Sequence, residues 1–437
     1  MKELLSSFVL ILMMVQLSGC QDSNSGNKQN TATPDNVPIT ELVIADEQLQ
    51  RCIFDNASKE EWIYTEEVVQ LRCDSRHDGI RDISDLRKLF NLRSLSLDLS
   101  DMNVIEPSIL PHLEMLSIRA DQPKEINLTH LSQLVSLSLV VENMSAIDLS
   151  SQARLRYLSL INHSLTELDL SQNEQLEELV LEVSIDSIIL PQLQQLRSLN
   201  LSNSANSILD LSGVNLRSLS IRNSAVTSLD LREQTQLVQI DASYSALQQV
   251  DFPLNSPLRY LNLTGSSVKH VDLSALSELR YVDISDASLQ EVVLGDHRYL
   301  TDLKLTNNQL THVSLLGAGQ LKNLDVSGNL LESLSVSGSN KLFSLHASNN
   351  HLRTLDLTDF KKLTILTLSG NQLKTVDLSH STYLRFVQLQ YSETESLKFP
   401  SLFNVNPEFN FTGNPLSAET IEIIENEIAP KGVKVVY

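Results

Sequence analysis

Aromatic residues make up only 5% of this 437-residue chain, with a single Trp, 13 Gly and three Cys. A chain this long exceeds what one compact core usually holds. With so few rings and an apolar share dominated by evenly spread Leu, a set of separate globular cores is the poorer reading. Basic charge is also scarce: 33 Lys and Arg stand against 54 Asp and Glu, a formal charge of −21. Such a field repels nucleic acid and anionic headgroups, whose binding needs clustered cations. It favours cationic partners or divalent ions, and it also serves plain solubility. Catalytic signatures are missing too. There is no GxSxG, HExxH, CxxC, GxGxxG or Walker-type loop. The ten histidines, at 77, 112, 130, 163, 270, 297, 312, 346, 351 and 380, have no ligand spacing. His346 and His351 fall closest together and read as solvated surface residues, not a metal pair. The expectation is a non-enzymatic protein without metal or cofactor.

What is present begins with an export signal. Residues 1–19 carry Lys2, an apolar run from Leu4 to Val15 and then small residues, too short to span a membrane. Leu17-Ser18-Gly19-Cys20 closes it with a pattern that resembles a bacterial lipobox. The resemblance implies lipidation of the Cys20 thiol, with cleavage leaving that cysteine first. Gln21 rather than Asp after it implies, by resemblance to lipoprotein sorting in Gram-negative cells, the outer membrane. The alternative is an ordinary signal peptide and a secreted protein. Residues 20–40 are rich in Ser, Asn, Thr and Pro and nearly devoid of large apolar side chains, so they read as a flexible tether. With Cys20 acylated, Cys52 and Cys73 remain as a pair. An oxidising envelope permits a disulfide between them, worth roughly 3 kcal/mol in the chain-entropy model; two buried free thiols are the alternative.

Residues 41–67 read as an N-terminal cap, because Leu49, Cys52, Ile53 and Trp62 recur at about helical spacing among acids. Val68, Leu71 and Cys73 then take the positions that leucines hold in every later repeat, so a bond to Cys52 would staple the cap over an open end. From Leu92 the pattern Leu-x-x-Leu-x-Leu starts again at Leu113, Leu134, Leu155, Leu176, Leu196, Leu216, Leu237, Leu258, Leu279, Leu300, Leu321, Leu342, Leu363 and Leu384, always 20 or 21 residues on. Each Leu-x-Leu alternates in a short strand, and a coil buries its apolar row only against its neighbours. The fold class expected is a repeat solenoid with one long parallel sheet. Fifteen coils at a strand spacing of about 4.8 Å give a spine of roughly 70 Å. A second apolar pair follows 13 and 15 residues after an anchor, as in Leu168-Asp169-Leu170 and Val376-Asp377-Leu378, so the returning convex limb is extended too. The array, residues 68–416 and about 16 repeats, closes at Phe409-x-Phe411-Thr-Gly-Asn414-Pro415-Leu416. Residues 417–437 form the C-terminal cap, with Ser417 as N-cap, Ile421, Ile424 and Ile428 on one face, and Pro430 and Gly432 as the stop.

Segments such as LxxLDLSxNxxLxxLVL at 165–181 resemble the 21-residue leucine-rich repeats of bacterial envelope proteins, the IRREKO type. The resemblance implies a leucine-rich-repeat horseshoe or right-handed coil that serves as a binding surface. In many such repeats an Asn ninth in the repeat turns inward and satisfies buried backbone groups. Asn308, Asn329, Asn350, Asn371 and Asn414 fit, whereas Ser184, Ser204, Ser224, Ser245 and Ser266 stand there in earlier coils. A hydroxyl has fewer donors than an amide, so the coils before residue 300 are expected to be looser.

Two surfaces remain. On the returning limb Asp148, Asp169, Asp210, Asp230, Asp251, Asp272, Asp356 and Asp377 share one repeat position. Calcium bridging is conceivable there, but Val293, Ser314 and Ser335 interrupt the row, and solvated acids partnering nearby hydroxyls are the simpler reading. The concave sheet is where partners of solenoids usually dock. Early coils offer a hydroxyl track, Ser94, Ser96, Ser117, Ser136 and Ser138. The middle offers Asp241, Tyr260, Tyr281, Asp283 and Asp325, and the far end Ile365 and Phe386. Exposed aromatics among polar residues have the composition of a binding hot spot, here for a basic protein segment; the alternative is tyrosines that simply stack to stabilise the sheet. The functional expectation is an interaction scaffold or adaptor held at the bacterial envelope by its lipid alone, or else a surface adhesin or internalin-like factor for host protein or glycan.

Overall fold

The computed structural model describes residues 36 to 437, apart from positions 78, 100, 101, 103, 122, 124, 184, 186, 187, 189, 191, 192, 206, 316, 337 and 405. The expected signal, Cys20, most of the tether and Ser184 lie outside the described residues. Across the rest the chain is a parallel solenoid. One sheet of 18 strands runs from Gln70–Cys73 to Lys434–Val436. Each strand pairs in register with the same phase of the next coil, Leu95 beside Leu116, Leu219 beside Ile240, Leu345 beside Leu366. The anchor leucines from Leu92 to Leu384 and the inward residues of the strands are buried in one continuous core.

After the four-residue first strand, the strands of the sheet come in two lengths. Ser94–Leu99, Met115–Ala120, Ser136–Val141, Tyr157–Asn162 and Glu178–Val183 have six residues, whereas every strand of the concave sheet from Ser198–Asn200 onward has three. The seventh residue after the anchor decides this. In the early coils it is Leu99, Ala120, Val141, Asn162 and Val183, all buried, so inward alternation runs three pairs deep. In later coils it is Asn203, Asn223, Tyr244, Gly265, Asp286, Asn307, Gly328, Asn349, Gly370, Tyr391 and Gly413, each with positive φ. A left-handed residue ends the strand, and Gly, Asn and Asp adopt it at least cost.

These left-handed residues stack coil on coil. Asn223 donates to Asn203 Oδ1 and Asn307 to Asp286 Oδ1, each at 2.9 Å. Elsewhere a large side chain lies across a glycine. A Cβ on Gly265 would sit 2.5 Å from the Tyr244 ring, and one on Gly370 would sit 2.6 Å from Asn349 Oδ1. Asn307 over Gly328 and Tyr391 over Gly413 repeat the arrangement.

The convex limb is extended but only locally paired, at Ser228–Asp230 with Gln249–Asp251, His270–Asp272 with Glu291–Val293, Thr375–Asp377 with Ser396–Lys398, and Val104–Ile105 with Glu125–Ile126, and by a single bridge of Ser314 with Ser335. At the N-terminal end the helix Glu47–Glu60 is capped by Asp46, whose carboxylate accepts from the N–H groups of Gln48 and Leu49. Its second oxygen accepts from Arg81 and Asp82, tying the cap to the loop beyond the first strand. Leu49, Cys52 and Ile53 face the core, and a disulfide joins Cys52 to Cys73. At the other end Ser417 accepts from the Thr420 N–H, and Ile424 and Ile428 are buried. Beyond Gly432 the chain turns back as Lys434–Val436 beside Glu408–Asn410, a final strand that periodicity did not reveal.

Candidate partner-binding face

The strand ends of the middle coils build the face. Tyr260 and Tyr281 open adjacent strands, directly opposite each other in register. Their rings stack 4.9 Å apart at 6°. Tyr260 is 36% exposed and Tyr281 half-buried. Burial, and after it Asp241 for Tyr260 and Asp283 for Tyr281, pushes both phenols above their ordinary value. Both stay protonated donors at neutral pH.

Beyond Tyr281 the strip is closed by Lys304. Its ammonium lies 5.4 Å from the centre of the Tyr281 ring, 3.3 Å from its hydroxyl and 3.6 Å from Asp283 Oδ2. Partial burial opposes the charge of Lys304, but Tyr281 and Asp283 more than offset it and hold the pKa above normal. Tyr281 donates to the same Asp283 oxygen at 3.0 Å, and Asp283 is 9% exposed. One of the expected acids is therefore already paired inside the strip.

Asp241, Asp283 and Asp325 also share a backbone task. Each accepts, at 3.0 to 3.1 Å, from the N–H two residues on, at Ser243, Ser285 and Ser327. Asn200, Asn262 and Asn410 do the same in their coils. This position caps the turn that leaves the strand, which is why it selects Asp or Asn. Asp302, beside Lys304, adds a further acid; it accepts from Thr301 Oγ1 and Asn323 Nδ2, both at 2.6 Å. Ile365 and Phe386 lie opposite each other in adjacent strands, several coils away. Structure thus joins Tyr260, Tyr281, Asp283 and Lys304 in direct contact, with Asp241 and Asp325 flanking and the two apolar residues apart. Lys304 was not legible as a member because its repeat position carries acids or amides in neighbouring coils.

The convex Asp row repeats the turn cap. Asp148, Asp169, Asp210, Asp272 and Asp377 each accept from the N–H two residues on at 2.8 to 2.9 Å. Bonds from those residues hold the carboxyls below their ordinary value. Arg232, by side chain and backbone, takes Asp230 down to about 2. Asp251 departs from the pattern because the residue two on is Pro253, which has no N–H, and it accepts from the Gln249 amide instead. His346 is likewise committed to its neighbours, Ser344 Oγ at 2.8 Å and Thr367 Oγ1 at 2.9 Å.

Comparison with known proteins supports the architecture. No family model matches the sequence, and a search of curated proteins finds no match either. Among solved structures, a leucine-rich-repeat protein of Leptospira interrogans is similar over 88% of this chain and 98% of that one, at 21% identity and a TM-score of 0.62. YopM from Yersinia enterocolitica is similar over 86% and 79%, at 19% identity and 0.54. The functional domain of InlJ from Listeria monocytogenes is matched over 79% of this chain and 65% of its own length, at 20% identity and 0.45. The first two likenesses show that the chain has the leucine-rich-repeat fold.

Proposed function

We propose that this protein is a non-enzymatic interaction scaffold of the bacterial cell envelope, held by a lipid on Cys20, and that its partner docks on the concave strip of Asp241, Tyr260, Tyr281, Asp283 and Asp325. The stacked, partly exposed tyrosine pair carries the reading. It offers a rigid amphipathic anchor on a surface fixed by backbone pairing, the composition that binding hot spots favour. Four acids, Asp241, Asp283, Asp302 and Asp325, stand against Lys304 alone on these strands, so a basic segment is the matching partner. Ile365 and Phe386 extend the contact at the distal end.

Among the described residues no helix is long and apolar enough to cross a membrane; the resemblance of Leu17-Ser18-Gly19-Cys20 to a lipobox supports attachment through lipid, and Gln21 after it supports the outer membrane. Crosslinking of the lipidated protein in membranes tests the whole reading. A captured protein whose recovery falls about tenfold or more on Tyr260→Ala/Tyr281→Ala supports the strip; capture unchanged by that pair overturns it. Cys20→Ser is expected to move the protein out of the membrane fraction, and continued membrane association refutes the anchor.

A further inference from the structure

The residue just after each anchor leucine forms a continuous row along one rim of the concave sheet. Its members are linked coil to coil by backbone bonds, Arg217 N to Arg197 O, Arg280 N to Arg259 O, Lys322 N to Thr301 O and onward to Arg385 N with Thr364 O, at 2.7 to 2.9 Å. In a chain of charge −21 this row is basic. In the early coils it neutralises itself, because Arg93 pairs with Glu114 and Arg156 with Glu177, one coil apart. From position 197 onward it holds no acid and carries Arg197, Arg217, Arg259, Arg280, Lys322 and Arg385. Arg197 donates to the carbonyls of Gln194 and Leu196. The other five are exposed, and no carboxylate pairs with them among the described residues. Asp302, next to Thr301 of the row, serves Thr301 and Asn323.

Exposed cations recurring along one rim, interrupted only by the uncharged Val238 and Thr301 between Arg217 and Lys322, in a row that pairs its own charges elsewhere, call for an anionic occupant. Five of the six are Arg, the side chain whose planar fork matches a carboxylate in two-point contact. A stacking ligand, such as an unpaired base, needs an open ring face. Of the adjoining tyrosines, Tyr281 is covered on both faces, by Tyr260 and Lys304, which leaves the outer face of Tyr260, and the exposed Phe343 lies beyond the stretch from Arg197 to Lys322. From Arg197 to Lys322 is six coil steps, about 29 Å at a spacing of about 4.8 Å, the span of roughly nine residues of extended chain.

We propose that the rim of Arg197, Arg217, Arg259, Arg280 and Lys322 docks an extended acidic segment of a partner protein, separately from the tyrosine strip beside it. This goes beyond the reading above and takes from it only that the partner is a protein. The partner would then meet two parallel tracks of opposite sign, acidic against the rim and basic against the strip, which fixes the side on which each edge of the segment lies.

The test is fluorescence anisotropy at low ionic strength with a labelled peptide of about twelve residues alternating Glu and Ser, long enough to span the rim. The expected result is salt-sensitive binding that falls about tenfold or more in Arg259→Glu/Arg280→Glu. Arg259→Lys/Arg280→Lys should retain part of it, and Tyr260→Ala/Tyr281→Ala should leave it within about threefold. All these side chains are at least partly exposed, and an unchanged circular dichroism spectrum verifies the coil. No binding of the peptide, binding indifferent to charge reversal, or tighter binding of a single-stranded oligonucleotide or sulfated glycan of equal charge would each overturn the proposal. Loss in the tyrosine variant with none in the arginine variant would overturn the rim and leave the strip standing.

Discussion

The coils from Leu196 to Ser266 and those from Leu300 to Asn371 share three-residue strands and a repeat of 20 or 21 residues, yet their interiors are tied differently. Asn329 donates to Leu305 O in the previous coil at 2.9 Å and to Val326 O in its own at 3.0 Å, while its Oδ1 accepts from Leu310 N. Asn308, Asn350 and Asn371 repeat the set. Ser204, Ser224 and Ser245 each donate to the carbonyl three residues earlier, inside their own coil, and the Ser266 hydroxyl is buried without a partner. The amide reaches across a coil boundary, and the shorter hydroxyls of Ser204, Ser224 and Ser245 stay within their own coils. The expected looseness before residue 300 therefore narrows to the middle coils. The first coils compensate with strands twice as long, and Asn162, one residue before the usual ladder position, reaches Met144 O at 2.7 Å. Ser392 shows that a hydroxyl can bridge where a carbonyl comes close enough, donating to Leu368 O of the previous coil at 2.9 Å.

Breaking the late ladder should have the largest effect. Asn329→Ala orphans one buried N–H and weakens two carbonyls, an expected loss of about 3 kcal/mol, against about 1 kcal/mol for Ser224→Ala. Because solenoids unfold piecewise, hydrogen exchange of the flanking strands is the appropriate readout. Equal losses at the two sites would erase the contrast. Gly370→Ala should cost about 2 kcal/mol, since the position has φ +71° and Asn349 lies across it; exchange no faster than in the native coil would show that the neighbour yields. Ser245→Asn with Ser266→Asn carries the late device into the middle, and a gain of about 1 kcal/mol per site in the same exchange experiment would sharpen the comparison. The smallest effect is acid loosening at the junction. His297 is 1% exposed, and burial, outweighing the Leu276 backbone bond and Asp296, holds its pKa below the ordinary 6.5. A depressed folded value means that the neutral ring stabilises the fold above pH 6.5 and that this contribution fades as pH falls through the folded pKa. Exchange around Leu300 should quicken below pH 6.5 in the native protein and lose that dependence in His297→Gln.

Much of this was legible in the sequence because a solenoid writes its phase many times over: a coil that fails to place Leu261 or Leu324 inward fails against both neighbours at once. The Asn-to-Ser change was visible for the same reason, one column read down. What escaped depended on neighbours in space. The early strands run longer because Leu99 and Val141 extend an alternation that looked complete at the second leucine. The closing strand at Lys434–Val436 lies outside the period. Within the candidate site, the tyrosines and acids could be read from their columns, but the pairing of Lys304 with Asp283 links two coils. The turn-capping duty of the acids rests on a backbone bond that residue type alone did not reveal.

The stacked left-handed residues set a rule for how this rod can change length. In its late half, large and small alternate coil by coil: Asn307 then Gly328, Asn349 then Gly370, Tyr391 then Gly413. Excising the single coil 363–383 would bring Tyr391 against Asn349, the succession the chain already carries where Tyr244 follows Asn223, but only with the Asn349 amide turned aside from where its Oδ1 now lies, 2.6 Å from a Cβ at that level. Excising 342–383 would seat Tyr391 on Gly328, the same succession the native chain already has from Gly370 to Tyr391. In this half the stack therefore repeats by pairs of coils, and removing one coil sets two large side chains on neighbouring levels.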